Sequence, residues 1–219
     1  MGDTVIQASK TVAGPPKGGC ASWWLFRRPP RFLFHSALVP GAAILLWNAS
    51  LPGFSPLYFA GILLSGLGAI VWAIRLVGRV VSSRKECAKQ GLRGYAWFAV
   101  APVAGLLVLA LNYSNVPLRV RWTIAKGDFV SVLRSAPPPT SRTEWEDFVA
   151  PARIGTYKIP KAVRVGDGVI FFESTGNLFD DAGFAYLPTG PFPEIDTGWF
   201  ENPQYFALGG GWYAWTASW

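Results

Sequence analysis

The sequence predicts a helical membrane anchor of three transmembrane helices that carries a small α+β domain with a mostly antiparallel sheet. Three apolar runs, at residues 36–51, 57–74 and 95–111, contain no Asp, Glu, Lys or Arg. As helices, they approach the thickness of a bilayer core. Residues 1–112 hold 11 Lys and Arg against 2 acids, whereas residues 113–219 hold 9 against 11. The second half contains alternating and turn-rich segments instead, which are typical of a small sheet domain.

The charge pattern divides the chain into a basic tail at 1–31, a transmembrane region at 32–112 and a domain at 113–219. Basic residues precede the first apolar run and fill the loop at 75–94, whereas the loop at 51–56 has no charge. Because Lys and Arg mark cytoplasmic segments, we expect a multi-pass cell-membrane protein with a cytoplasmic N-terminus and an extracytoplasmic C-terminal domain. The expected partner is the lipid bilayer, and nucleic acid is not expected. Whether the start of the 75–94 loop continues as a membrane-surface helix stays open.

Small residues recur along one face of the second apolar run. Gly61, Ser65 and Ala69 are spaced four residues apart, so they share one face of a helix. Such a row allows two helix backbones to approach closely. It indicates either packing among the three helices of one chain or homo-oligomer formation between chains.

The residue types that build most metal sites and catalytic triads are scarce. The single histidine, His35, has no second His or Cys at ligand spacing. Cys20 and Cys87 both fall in segments expected to be cytoplasmic, where thiols stay reduced. We therefore expect no metal, no cofactor and no disulfide in the outer domain, and we assign no catalytic residue.

The outer domain begins close to the third apolar run. Residues 118–125 alternate polar and apolar side chains, which predicts a half-buried strand. Residues 126–136 and 143–149 are predicted to be helical.

The remaining segments are mostly predicted strands. Residues 152–175 are predicted to form a hairpin that turns at Gly166, Asp167 and Gly168. Residues 182–188 should form another strand, and the proline-rich stretch 189–206 a surface loop. The last stretch, GGGWYAWTASW, alternates in the manner of a closing strand rather than opening a helix, which excludes a phosphate loop.

Four residues are candidates for binding. Trp212 and Trp215 belong either to the core or to an exposed aromatic platform for sugar rings. Asp180 and Asp181 form an acidic pair that suits either a hydrolase with two carboxylates or an ordinary solvated turn.

The segments GVIFFESTGNLFDDAGFAYLPTGP and ALGGGWYAW carry a resemblance. They are similar to uncharacterised multi-span membrane proteins of actinobacteria, whose outer domain has a GFAY-P-G-P element and a GxWY end. The resemblance covers residues 95–219 and implies a location in the cell envelope. It brings no activity, ligand or catalytic residue with it.

Three hypotheses about function follow. The first is a non-enzymatic integral membrane protein whose outer domain binds or scaffolds an envelope component or a membrane complex. The second is a hydrolase or transferase of cell-wall polymer, with Asp180 or Asp181 as an acid. The third is an immunity or phage-exclusion protein that acts at the membrane.

Overall fold

A computed structural model describes residues 32–83, 93–138, 145–191 and 201–218. The described residues form four helices, a six-stranded sheet and a separate two-stranded hairpin. The helices are α1 (Phe32–Asn48), α2 (Leu57–Ser83), α3 (Arg93–Tyr113) and α4 (Val116–Ser135). The strands are β1 (Trp145–Phe148), β2 (Arg153–Ile154), β3 (Tyr157–Lys158), β4 (Lys161–Val165), β5 (Gly168–Phe172), β6 (Asp181–Tyr186), β7 (Glu201–Gly209) and β8 (Trp212–Ser218).

All three apolar runs are helical, and two of them are long and apolar enough to cross a membrane. These two stretches are Leu57–Val81 and Ala96–Tyr113, and within each only 6% of an apolar 18-residue segment is buried. A core helix of a soluble domain would bury one face, whereas these helices expose apolar side chains almost all round. Helix α1 has 17 residues and is shorter than either. Two of the described helices are therefore candidate membrane spans, one fewer than the sequence predicts.

The small-residue face of α2 packs against α1 within the chain. A Cβ atom on Gly61 would lie 3.0 Å from side-chain atoms of Ile44 and Leu45. A Cβ atom on Gly41 of α1 would lie 2.7 Å from the Ser65 hydroxyl, so the two backbones are in close approach there. Ala69, the third member of the row, is exposed.

Helix α2 continues past the apolar run to Ser83, so the segment expected to begin a basic loop at residue 75 is helical at first. The indole nitrogen of Trp72 donates a hydrogen bond of 2.9 Å to the carbonyl oxygen of Phe98, which ties α2 to α3. The expected basic tail at 1–31, Cys20 and Cys87 lie outside the described residues.

The sheet has the strand order β1-β4-β5-β6-β8-β7, and every neighbouring pair is antiparallel. This confirms the predicted antiparallel sheet. The predicted hairpin turn is also confirmed, because Val165 pairs with Gly168 and leaves Gly166 and Asp167 as the turn between β4 and β5. The predicted strands at 182–188 and in the closing stretch correspond to β6 and β8.

Helix α4 covers one face of the sheet and corrects the strand predicted at 118–125. Its buried side chains are Leu118, Trp122, Ala125 and Phe129. Their spacing of four, three and four residues is that of a helix stripe, which the alternation of Arg and apolar residues obscured. Asn115, with a left-handed φ of 54°, precedes the first residue of the helix as its N-cap, and a proline follows in the first turn.

Two other predictions are wrong. Residues 145–148, predicted as part of a helix, form edge strand β1 against β4, because tertiary pairing outweighs weak helix propensity. Residues 201–206, predicted as part of a surface loop, belong to β7, whose register is shifted twice along β8. Gly209 ends β7, and Gly210 and Gly211 form the turn to β8; all three have positive φ, of 94°, 65° and 78°.

Candidate functional site

A group of polar and aromatic residues comes together where the helices meet the sheet. We call it the junction: residues 47–57, Arg121 of α4, Thr156 and Tyr157 of the β2–β3 hairpin, and the turn 173–178 between β5 and β6. Phe54 pairs in parallel with Asn177, and the Leu178 amide donates a hydrogen bond of 3.0 Å to the Phe54 carbonyl oxygen. The α1–α2 loop is thus attached to the sheet domain by backbone hydrogen bonding.

Two glycines allow this close approach. A Cβ atom on Gly53 would lie 2.0 Å from the Gly176 carbonyl oxygen and 2.6 Å from the Ala182 Cβ. Neither contact is sterically possible, so the loop can reach the sheet only because residue 53 has no side chain. Next to Gly53, the Ser55 amide donates a hydrogen bond of 2.9 Å to the buried Asn48 side chain, which holds the loop in shape.

Arg121 connects α4, the α1–α2 loop and the β2–β3 hairpin. Its guanidinium carbon lies 4.4 Å from the ring centre of Trp47 and 4.2 Å from that of Tyr157, so the cation lies between two aromatic faces. The same group donates hydrogen bonds to the Ser50 hydroxyl at 3.1 Å and to the hydroxyl and carbonyl oxygens of Thr156 at 2.9 and 2.5 Å. Partial burial lowers the pKa of Arg121 from its usual value, and the side chain keeps its charge at neutral pH.

Tyr157 is fully buried beneath this arginine. Its hydroxyl donates a hydrogen bond of 3.3 Å to the Ser50 carbonyl oxygen. Burial raises the pKa of the Tyr157 hydroxyl well above its ordinary value of 10.0, and the Arg121 charge opposes that shift. The phenol is therefore protonated at neutral pH and acts as a hydrogen-bond donor.

Glu173 is the buried acid of the junction, with 1% of its surface exposed. Its Oε2 accepts hydrogen bonds of 2.8 Å from the amides of Thr175 and Gly176, which fixes the turn after β5. Its Oε1 is buried and accepts no hydrogen bond from the described residues. The negative charge of the Glu173 carboxylate favours the protonated forms of both Arg121 and Tyr157. The three side chains therefore influence one another electrostatically.

The four residues singled out from the sequence do not come together in one site. Trp212 and Trp215 are each 2% exposed and lie in two separate clusters, on opposite faces of the sheet, so they form no shared exposed surface. Asp180 and Asp181 are half-buried, at the end of the β5–β6 connection and the start of β6. Within the described residues, no three His, Cys, Asp or Glu side chains are grouped to hold a metal ion.

The junction was not predicted from the sequence, although two of its residues left a signal. Arg121 is four residues from Ala125 and one from Trp122, so a helical reading of that segment would have placed it beside the core. Glu173 directly follows the apolar strand β5 and precedes a Ser-Thr-Gly turn. Ser50 gave no signal, because its role depends on a contact with residue 157.

No family model, curated protein or solved structure matches the chain. Function therefore has to be inferred from the residues themselves, above all from the geometry of the junction. Its hydrogen bonds and ring contacts join α4, the α1–α2 loop and the β2–β3 hairpin.

The buried phenol makes the stability of the protein depend on alkaline pH. The folded pKa of Tyr157 is raised, so the folded state keeps its proton while the unfolded state loses it above about pH 10. Stability contributed by this group is present below pH 10 and is lost as the pH rises further. We expect the free energy of unfolding of the full chain in detergent to fall between pH 9 and pH 11, and Tyr157→Phe to remove part of that fall.

The matched control is Tyr113→Phe, because Tyr113 is 92% exposed and makes no contact at the junction. This variant should keep the full alkaline loss. If Tyr157→Phe and Tyr113→Phe lose the same stability between the two pH values, the phenol of Tyr157 is not shielded as described.

Proposed function

We propose that the protein is a non-enzymatic integral membrane protein of the cell envelope, with three spans and a cytoplasmic N-terminus. In this proposal its extracytoplasmic sheet domain binds or scaffolds another envelope component or a membrane complex. The observation that carries the proposal is the junction, which attaches a folded domain to the ends of apolar helices with little freedom to swing. A domain attached in this way presents its outer surfaces at a constant height and orientation, which suits a scaffold.

The position of the junction supports a third span formed by α1. The α1–α2 loop lies against the sheet domain through Phe54, and the start of α4 contacts the β2–β3 hairpin of that domain through the hydrogen bonds from Arg121 to Thr156. The C-terminal end of α1, the N-terminal end of α2 and the C-terminal end of α3 are therefore on one side. Trp47, Tyr58 and Tyr113 lie at these three ends, as in the aromatic belt of a membrane interface.

The orientation rests on charge. Helices α1, α2 and α3 contain no acid. Their basic residues Arg75, Arg79 and Arg93 lie toward the end of α2 and at the start of α3, which is the side distant from the sheet domain. That side is expected to face the cytoplasm, because positive charge is retained there. The resemblance to actinobacterial membrane proteins supports the same arrangement.

Topology is tested with fusions to a reporter that is active only outside the cytoplasm. We expect activity for a fusion after Trp219 and none for a fusion after Cys87. A control fusion after Gly53, in the α1–α2 loop, should be active like the first, because the loop lies against the sheet domain. Activity after Cys87 together with silence after Trp219 would overturn the orientation.

The binding role is tested by in-cell cross-linking, affinity purification in mild detergent and mass spectrometry. A partner held by the folded sheet domain should be recovered with the wild type and with Val149→Ala, whose side chain is fully exposed. It should be lost with Trp212→Ala, which removes a core side chain of that domain. The purified candidate should then rebind the wild-type chain alone.

The same preparations test the competing enzyme hypothesis. Release of cell-wall fragments by the wild type that is lost in Asp180→Asn or Asp181→Asn would replace the scaffold proposal. A partner that is recovered equally with Trp212→Ala would instead place binding on the helices.

A further inference from the structure

An apolar surface lies at the edge of the junction and includes three of its residues, where the turn after β5 meets the beginning of α2. We call it the rim patch. Its five side chains belong to the α1–α2 loop, the first turn of α2 and the β5–β6 turn, and between 38% and 57% of each is exposed: Phe54, Leu57, Phe59, Leu178 and Phe179. Exposed aromatic and aliphatic side chains grouped in this way mark a surface that meets another apolar phase.

The rim patch lies at a defined level along the candidate span. Phe59 is two residues after Leu57, where the apolar stretch Leu57–Val81 begins. The Phe179 ring meets the Phe59 ring edge to face, with centroids 6.1 Å apart. Phe179 is therefore level with the first turn of the span, although it belongs to the sheet domain.

The β5–β6 turn is held at that level by contacts on both sides. The Leu178 amide is bonded to the Phe54 carbonyl oxygen, and Gly176 packs against Gly53. Phe54 in turn contacts Tyr58 at a centroid distance of 5.4 Å. Leu178 and Phe179 consequently cannot withdraw from the end of α2 without breaking the junction.

We propose that Leu178 and Phe179 insert into the lipid interface on the sheet-domain side of the membrane, as a second membrane contact beside the spans. This inference rests on the proposed membrane location. Lipid is the occupant because the rim patch is continuous with the exposed side chains of α2, which include Ile62 and Leu63. Leu and Phe are side chains that interfacial segments bury at the boundary between headgroups and acyl chains.

The insertion is shallow. Asp180 and Asp181 follow directly in the chain, and both are half-buried acids that disfavour hydrocarbon. The chain returns to the aqueous side at that point and enters β6. The sheet domain then has two contacts with the membrane, the spans and the β5–β6 turn. Two contacts at different points hold the domain at a constant tilt.

Spin labels measure the depth of the turn directly. The background is the full chain with Cys20→Ser and Cys87→Ser, in vesicles of phosphatidylcholine and phosphatidylglycerol. A nitroxide is attached at Phe179→Cys, and its collisions with oxygen, which concentrates in lipid, are compared with those of a water-soluble nickel chelate. Leu63→Cys on α2 and Val149→Cys on the sheet domain, 64% and 100% exposed, are the lipid and water references.

We expect the label at residue 179 to favour oxygen over the nickel chelate, as the label at residue 63 does, and the label at residue 149 to show the opposite. A label at Leu178→Cys gives an independent reading if the first variant melts below the unlabelled chain. Equal behaviour of the labels at residues 179 and 149, with residue 63 still in lipid, overturns the insertion but not the membrane location.

Two other results of the spin-label experiment would also contradict the proposal. A water-exposed label at residue 63 would contradict the membrane location itself. Low accessibility to both reagents at residue 179, with magnetic broadening between labels, would show that a second copy of the chain covers the rim patch and would also overturn the proposal.

Discussion

Replacing Trp212 with alanine is expected to unfold the sheet domain. The side chain is 2% exposed and packs against four aromatic rings at centroid distances of 5.0 to 6.1 Å: Trp122, Phe129, Phe171 and Tyr186. Truncating a buried Trp removes its apolar burial and leaves a cavity, at a cost of about 3–5 kcal/mol. That is a large fraction of the roughly 5–15 kcal/mol that stabilises a typical domain.

The measurement is the free energy of unfolding of the full chain in detergent, followed by proteolysis of the sheet domain. Trp215→Ala should have a similar effect from the opposite face, where Trp215 packs edge to face on Phe172 at 5.1 Å. Val149→Ala is the control, because its side chain is fully exposed and should change stability by no more than about 0.5 kcal/mol. If both Trp variants resist proteolysis as the control does, these rings are not core residues and the sugar-platform hypothesis returns.

Replacing Gly53 with alanine is expected to detach the α1–α2 loop from the sheet. The new Cβ would lie 2.0 Å from the Gly176 carbonyl oxygen, so one backbone has to move away from the other. The displacement should break the hydrogen bond from the Leu178 amide to the Phe54 carbonyl oxygen. Forced overpacking of this kind costs typically about 1–3 kcal/mol.

Hydrogen exchange of the segment 173–179 reports this detachment. In the wild type the Leu178 amide should be protected, and in Gly53→Ala it should exchange much faster, while the amides of β4 and β5 stay protected. Gly66→Ala is the matched control, because a Cβ at Gly66 has no atom within 4 Å, and it should leave exchange unchanged. Equal protection in Gly53→Ala and Gly66→Ala would contradict the close approach at the junction.

Local patterns account for the parts of the fold that the sequence predicted well. The turn at Gly166 and Asp167 needs only its neighbouring strands, and the alternation in residues 212–217 reflects a strand with one face on each core cluster. The segment at 118–125 is predicted as a strand because a polar residue at every second position, Arg119, Arg121 and Thr123, imitates one. The helical spacing of Leu118, Trp122 and Ala125 is present in the same segment. When a short segment fits both the strand period of two and the helix period of 3.6, the tertiary contacts of its apolar residues decide which structure forms.

The sequence by itself determined the apolar helices, the asymmetry of charge and the β4–β5 hairpin, because each depends on residue types and spacings within one segment. Tertiary structure alone decided the junction, where Gly53 meets Gly176 and Arg121 meets Ser50 across more than 70 residues of chain. No periodicity encodes such a contact, because it depends on where two distant segments are brought by everything between them. The pKa values of Arg121 and Tyr157 shift only once these segments are packed together. The same packing places Phe179 beside the first turn of α2.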